Sequence, residues 1–298
     1  MPELPDITVY VEHVQARTQG ALLRHVTLRH PFVLRTAVPP ITQAEGRHLV
    51  GVERLGKRVV LVLEGELFVV IHLMIAGRLQ WQAAGKAAAG RAGAGKAALA
   101  LFEFDGGTLV LTEAGTRRRA SLHVLQGRAA LAALDPGGID VLASTPEAFA
   151  AALTRENHTL KRVLTDPQVL SGIGNAYSDE ILHRARLSPL ALTHKLEPAQ
   201  LQQLFDATQA VLREWTARLR EQAGDWPHKV TAFHDEMAVH GKFGQPCPVC
   251  GAPVQRIVYA DNECDYCARC QTGGKLLADR ALSRLLKASW PRHIDELG

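Results

Sequence analysis

The period of the apolar positions changes twice along the chain. Over residues 6–19, Ile7, Tyr10, Val11 and Val14 recur at three-to-four spacing, which predicts a helix despite the lower propensity of its β-branched residues. Over residues 22–124 the texture turns to short β-rich runs such as RVVLVLE and ELFVVIHLMIAGRLQW, parted by glycine and polar turns. That pattern predicts an antiparallel sandwich or barrel. Residues 82–98 (QAAGKAAAGRAGAGKAA) interrupt it with nothing larger than alanine to bury, so they read as a mobile basic loop between two strands. The stretch DPGGIDVLASTP is a turn-rich connection, after which a helical period runs to about Glu221. Within it VLSGIGN makes a turn before a helix that Asn175 is expected to cap. Leu276, Leu277, Ala281, Leu285 and Leu286 mark a short terminal helix.

These switches predict an α+β protein. Its expected parts are a β-sandwich over 1–133 with a leading helix, a linker over 134–146, and a helical domain over 147–238. A cysteine-bearing hairpin over 239–272 and a helical extension over 273–298 complete it. A length of 298 residues suits two domains or more, and 47% apolar with 21% charged residues excludes wholesale disorder. Apolar runs such as 59–63 and 67–71 span five residues, far short of the roughly 20 of a membrane helix. The opening MPELPD has acids where a signal peptide carries Lys or Arg, which points to the cytoplasm and no membrane partner. A net charge of +4 suits a polyanionic partner without demanding one.

All five cysteines fall between Cys247 and Cys270. Cys247-x2-Cys250 and Cys267-x2-Cys270 enclose 16 residues, the spacing of a four-thiolate zinc ribbon holding one structural Zn²⁺. Cys264 lies too close to Cys250 for that window and is left out. At the other end, removal of Met1 would expose Pro2 beside Glu3. An α-amino group has a pKa near 8, so roughly a tenth of it is free base at pH 7, and a secondary amine attacking a sugar C1′ gives an iminium directly. Taken singly, Lys57 reads as a surface lysine, His72 as a strand histidine, and Arg117, Arg118 and Arg119 as a solvated loop or a phosphate contact.

In order, MPELPD, LGKRVVLVLE, IHLMIAGRL, NHTLKRVLTDPQVLSGIGNAYSDEILHRARLSPL and CPVC…CARCQ resemble the formamidopyrimidine-DNA glycosylase and endonuclease VIII family of base-excision repair enzymes, over residues 1–272. The resemblance implies a β-sandwich domain, a helix-two-turn-helix domain and a zinc-finger hairpin acting on damaged DNA as a monomer. By position it makes Pro2 the Schiff-base nucleophile, Glu3 the acid, and Lys57 a third catalytic or phosphate-neutralising group. Lys161, Asn175 and His72 become phosphate contacts. Arg117, Arg118 and Arg119 are the loop cations, and either Met74 or Ile75 enters the duplex.

Departures from the family pattern shape the expected substrate. HLMIAG has Ile75 where the family's void-filling Met stands and Met74 where Gly is usual. EAGTRRRAS lacks the aromatic wedge, Asn262 replaces the finger arginine, Asp6 replaces a Glu, AGDWPHKV is short for a lesion-capping loop, and 28 residues follow Cys270. The expected enzyme is a glycosylase and β,δ-lyase favouring oxidised pyrimidines, abasic sites or disrupted DNA. Its alternative is a damaged-DNA-binding protein that is catalytically silent or a lyase only, though such a protein would not need Pro2, Glu3 and Lys57 together. A zinc-ribbon protein with an unrelated N-domain is the third reading.

Overall fold

The computed structural model describes residues 1–84, 97–114, 117–228, 230–231, 233–259, 262–278 and 291–297. They form two compact units, Met1–Pro136 with Trp215–Thr231, and Gly137–Glu214 with Ala232–Gly298.

The first unit opens with helix α1 (Leu4–Thr18), which starts ahead of the periodic run because Pro5 fits a first turn whose N–H groups need no partner. Eight strands follow: β1 (Leu22–Leu28), β2 (Arg47–Leu55), β3 (Arg58–Leu63), β4 (Leu67–His72), β5 (Gly77–Ala83), β6 (Ala98–Phe104), β7 (Gly107–Glu113) and β8 (Ser121–Gln126). They pair antiparallel in the order β5-β7-β6-β1-β2-β3-β4-β8. The register of β2 on β3 shifts between Leu49 and Gly51. β2 also pairs with β1 through Arg47 and His48, so the sheet folds about this strand into a sandwich. Alternation decides which side chains go inside. Leu67, Val69 and Ile71 of β4 join the central core with Ile7, Tyr10 and Val14 of α1, while Phe68 and Val70 face outward. Helix α2 (Arg128–Ala133) covers that outer cluster with Leu131, and its Arg128 stacks 4.8 Å over Phe68 while pairing with Glu53. Trp226 belongs to the central core and donates from Nε1 to the Leu79 carbonyl at 2.9 Å. The alanine-rich insert lies between β5 and β6, and its residues 85–96 fall outside the described residues.

The second unit contains α3 (Pro146–Thr154), capped by Thr145 Oγ1 on Ala148 N, then α4 (Leu160–Thr165) and α5 (Asn175–Arg184). Most of α6 (Pro198–Ala223) follows, its last residues belonging to the first unit. The expected cap at Asn175 is corrected: extended Gly174 is the cap residue, and Asn175 is the first helical residue, without a side-chain cap bond. A hairpin of β9 (Gln255–Tyr259) and β10 (Asn262–Tyr266) leads to the one-turn helix α7 (Ala268–Thr272). Of the terminal-helix positions, Ala281, Leu285 and Leu286 fall outside the described residues. Leu276 is buried with Ile257, Tyr266 and Ile294, and the backbone of 274–276 bonds that of Arg292 and Ile294. Among the described residues no helix is long and apolar enough to cross a membrane.

Candidate functional site

In the first unit the chain's start is drawn into the fold. Pro2 is buried and Glu3 is 2% exposed. Glu3 N donates to Asp6 Oδ2 at 2.8 Å, a bond across the first turn of α1. Burial lowers the pKa of the terminal amine, here that of Met1; Glu3 and Asp6 oppose the shift, and Arg78 and Lys57 add to it. Burial pushes the Asp6 carboxyl up to about 7, with Glu3 also raising it and the amine and Arg78 pulling it back. The amine, Glu3, Asp6, Lys57 and Arg78 thus share one electrostatic neighbourhood. Sequence reasoning missed Arg78; it stands at the start of β5, and its guanidinium donates to the carbonyls of Gly77 (2.7 Å) and Ile75 (3.2 Å).

The turn between β4 and β5 is closed by Gly77 N on Leu73 O at 2.9 Å, so tightly that a Cβ on Gly77 would lie 2.2 Å from that oxygen. Met74 therefore takes a φ of 53°, the left-handed region, and is half-buried, while Ile75 stands 57% exposed at the tip. His72 ends β4, and its pKa is lowered to about 4 by burial and then by Arg58, Lys57 and His123, so it is a neutral imidazole at pH 7. Arg117 and Arg119 are exposed and Arg118 is half-buried. Buried Glu113 holds the end of their loop by accepting Arg119 N and Ala120 N at 2.8 and 2.9 Å.

In the second unit Lys161 and Asn175 come together, though not as two free phosphate contacts. Lys161 Nζ donates to Asn175 O (2.7 Å), Ser178 Oγ (2.8 Å) and Asp179 Oδ1 (2.6 Å), which uses all three ammonium protons. The other Asp179 oxygen lies 2.8 Å from His240 Nδ1, and Glu180 accepts the backbone N–H groups of Ala238, Val239 and His240. Asp265 takes Gly241 N and a bidentate Arg256. Asp179, His240 and Asp265 are clustered as metal ligands would be, but Lys161 and Arg256 already supply the balancing charge. In the sequence only SDE within NAYSDEIL hints at this network.

The four cysteine sulfurs lie within 4.8 Å of one another, with Cys250 and Cys267 3.4 Å apart and Cys247 and Cys270 3.9 Å apart. A tetrahedral ion with bonds of about 2.3 Å needs sulfurs about 3.8 Å apart, so the set fits. Burial, then the neighbouring thiols, pushes Cys267 up to about 11 and raises Cys270 as well, a cost a dication removes. Cys247, Cys250, Cys267 and Cys270 form a structural zinc site. Cys264 is buried in β10, apart from the set. Gln271 links the knuckle to the helical domain, accepting Cys267 N at 2.8 Å and donating to Leu187 O at 3.0 Å. His183 Nε2 lies 3.3 Å from Cys247 Sγ.

Comparison with known proteins accounts for this combination of parts. The formamidopyrimidine-DNA glycosylase of Thermus thermophilus is 31% identical over 286 residues, covering 92% of this chain and all of that one. The chain belongs to the formamidopyrimidine-DNA glycosylase family. These are DNA glycosylases of base-excision repair. The family's N-terminal domain model matches residues 1–122, its H2TH domain model residues 138–221, and the zinc finger found in FPG and IleRS residues 244–273. An uncharacterized formamidopyrimidine-DNA glycosylase-like protein of Mycobacterium tuberculosis is 45% identical over 156 residues, 52% of this chain and 95% of that one. The crystal structure of MutM (Fpg) from Thermus thermophilus superposes with a TM-score of 0.75 at 29% identity, covering 91% of this chain and 98% of that one. A Lactococcus lactis Fpg complex with Fapy-dG-containing DNA shares the fold, with a TM-score of 0.79 at 21% identity and coverage of 91% and 100%.

Proposed function

We propose that the protein is a bifunctional glycosylase and abasic-site lyase whose nucleophile is the Pro2 amine, freed by removal of Met1. The observation that carries this reading is the buried Pro2 beside a terminal amine whose charge neighbours are Glu3, Asp6, Lys57 and Arg78. Desolvation lowers the pKa of an amine there, with Glu3 and Asp6 opposing and Arg78 and Lys57 adding to the shift, a direction that favours the free base a nucleophile requires. Pro2 attacks C1′ of the damaged nucleotide, the C1′–N bond breaks and the base departs with the proton released from the amine, and Glu3 protonates the ring oxygen as the C1′–O4′ bond opens to leave the iminium. The resulting iminium acidifies the C2′ proton; its loss expels the 3′ phosphate, and a second elimination expels the 5′ phosphate. Lys57 neutralises charge beside the reacting sugar. Zinc, closed by four thiolates, shapes the finger and takes no part in the chemistry.

Damaged DNA is the partner, and the base must leave the stack to reach Pro2. Ile75 fills the void, because it is the exposed tip of its turn while Met74 is folded back. His72, Arg117, Arg118, Arg119 and Asn175 meet the backbone, and Lys161 acts through Asn175. With Asn262 in place of the finger arginine and no aromatic in EAGTRRRAS, less of the unstacking cost of a few kcal/mol is recovered. Oxidised pyrimidines, abasic sites and lesions in single-stranded or bubble DNA are therefore preferred to 8-oxoguanine paired with cytosine.

Borohydride trapping on abasic DNA tests the nucleophile: Met1-processed protein should trap and Met1-retaining protein should not, and equal trapping by both would refute it. Single-turnover rates on matched single-stranded and duplex oligonucleotides test the substrate. Fast excision of 8-oxoguanine from intact duplex with little activity on open substrates would overturn that preference.

A further inference from the structure

The outer face of β3, β4 and β8 divides into two halves. Val60, Val62, Phe68 and Val70 form the apolar half beneath Leu131 of α2. The other half is polar, and Arg58 is its charged residue. Arg58 pairs across the sheet with His72, His72 pairs with Ser121, and one step along the same face Val70 pairs with His123. Directly paired side chains on one face lie about 5 Å apart and diagonal ones about 7–8 Å apart, so the heads of Arg58, His72 and His123 share a patch of roughly one or two phosphates.

Arg35 extends the patch. Its backbone N donates to Leu122 O at 2.8 Å, and the next residue's Thr36 Oγ1 accepts Val124 N at 2.8 Å. These bonds bracket His123 from both sides. None of the three strands, RVVLVL, LFVVIH and SLHVLQ, carries an acid. Among the described residues neither Arg35 nor Arg58 makes an ion pair, whereas Arg128 on the same face is already taken by Glu53.

Two observations argue that this face is built for an anion rather than for solvent. His123 Nδ1 is buried without a hydrogen-bond partner. Burial lowers the pKa of Arg58, with only the charge of Asp135 opposing it, and burial followed by Arg58 and Arg35 lowers that of His123. Arg58 is thus partly desolvated beside the exposed Arg35, with only the charge of Asp135 acting against that burial, and His123 adds a ring nitrogen without a partner.

We propose that Arg35, Arg58 and His123 form a DNA-phosphate subsite that continues the backbone contacts of Lys57 and His72 along the outer face of β3, β4 and β8. It rests on the DNA-glycosylase reading above. Each phosphate neutralised on duplex DNA contributes about 0.9 to the slope of log affinity against log salt.

The test measures binding of the full-length zinc-loaded protein to a duplex holding a reduced abasic-site analogue, from 50 to 300 mM KCl. Arg58→Gln and Arg35→Gln should each weaken binding severalfold and flatten the slope by about 1, and His123→Gln should weaken binding with little change in slope. Arg35 is exposed, so its variant tests the subsite without threatening the fold. A methylphosphonate scan of the duplex should find one or two positions where a neutral linkage abolishes the difference between the unmodified protein and Arg58→Gln. Unchanged affinity and slope in Arg35→Gln and Arg58→Gln overturn the subsite. So does loss of inorganic-phosphate binding, read by calorimetry, with the DNA slope intact, which would assign the patch to a free anion. Trapping of abasic DNA by the unmodified protein tests the underlying reading separately, since it depends on Pro2 and not on this face.

Discussion

Replacing Lys161 by methionine separates two accounts of that residue. Its side chain is 12% exposed and that of Asp179 is fully buried, and the contact between them is one of three that use every ammonium proton. Removing one partner of a buried pair costs about 3–5 kcal/mol, because the other charge is left uncompensated. His240 Nδ1 still hydrogen-bonds the second oxygen of Asp179 at 2.8 Å, which places the expected loss near the lower end, about 3 kcal/mol. Against a total of roughly 5–15 kcal/mol that is a large fraction. Urea unfolding of the zinc-loaded protein, followed by far-ultraviolet circular dichroism, should show the loss in the transition of the helical unit. Asp179→Asn combined with Lys161→Met should recover at least half of it, since the stranded charge is gone. Binding of abasic DNA should weaken in Lys161→Met through the loosened Asn175 turn, while its salt slope stays as it was. An unchanged unfolding midpoint with a slope flatter by about 0.9 would instead make Lys161 a free phosphate contact and refute the reasoning.

Cys267→Ser should lose zinc and Cys264→Ser should keep it, by metal analysis of the purified proteins; equal metal content would refute the four-ligand assignment. Asp6 titrates near 7 in the fold and near 3.8 when unfolded, so the native state binds the extra proton between those values, and stability from this group falls as pH rises through that window. Asp6→Asn still accepts the Glu3 N–H and should remove this fall when urea midpoints at pH 4.5 and pH 7.5 are compared. Ile75→Ala should change stability by no more than about 0.5 kcal/mol, the exposed-site range, yet slow single-turnover excision from duplex roughly tenfold or more. The same substitution should cost little on single-stranded substrate, and equal slowing on both would argue against a void-filling role.

Local chemistry made much of this protein legible in its sequence. Apolar period and turn residues are properties of neighbouring positions, so α1, the strand-rich first unit and the helices of the second could be read directly, whereas the cap at Gly174 was misplaced by one residue and Leu276 and Leu277, expected on a helix, lie in none. The knuckle spacing sufficed for the zinc ligands, because each C-x2-C pair presents its sulfurs through its own turn. What the tertiary structure alone decided lies where distant segments meet. Arg78 joins the N-terminal site only because β5 returns beside α1. Lys161 is turned inward only because Asp179 lies buried within reach of both it and His240. Likewise, Ile75 rather than Met74 stands exposed in a turn that one carbonyl, Leu73 O, closes on Gly77. Charge, burial and exposure at such positions depend on three-dimensional neighbours, which one-dimensional spacing does not encode.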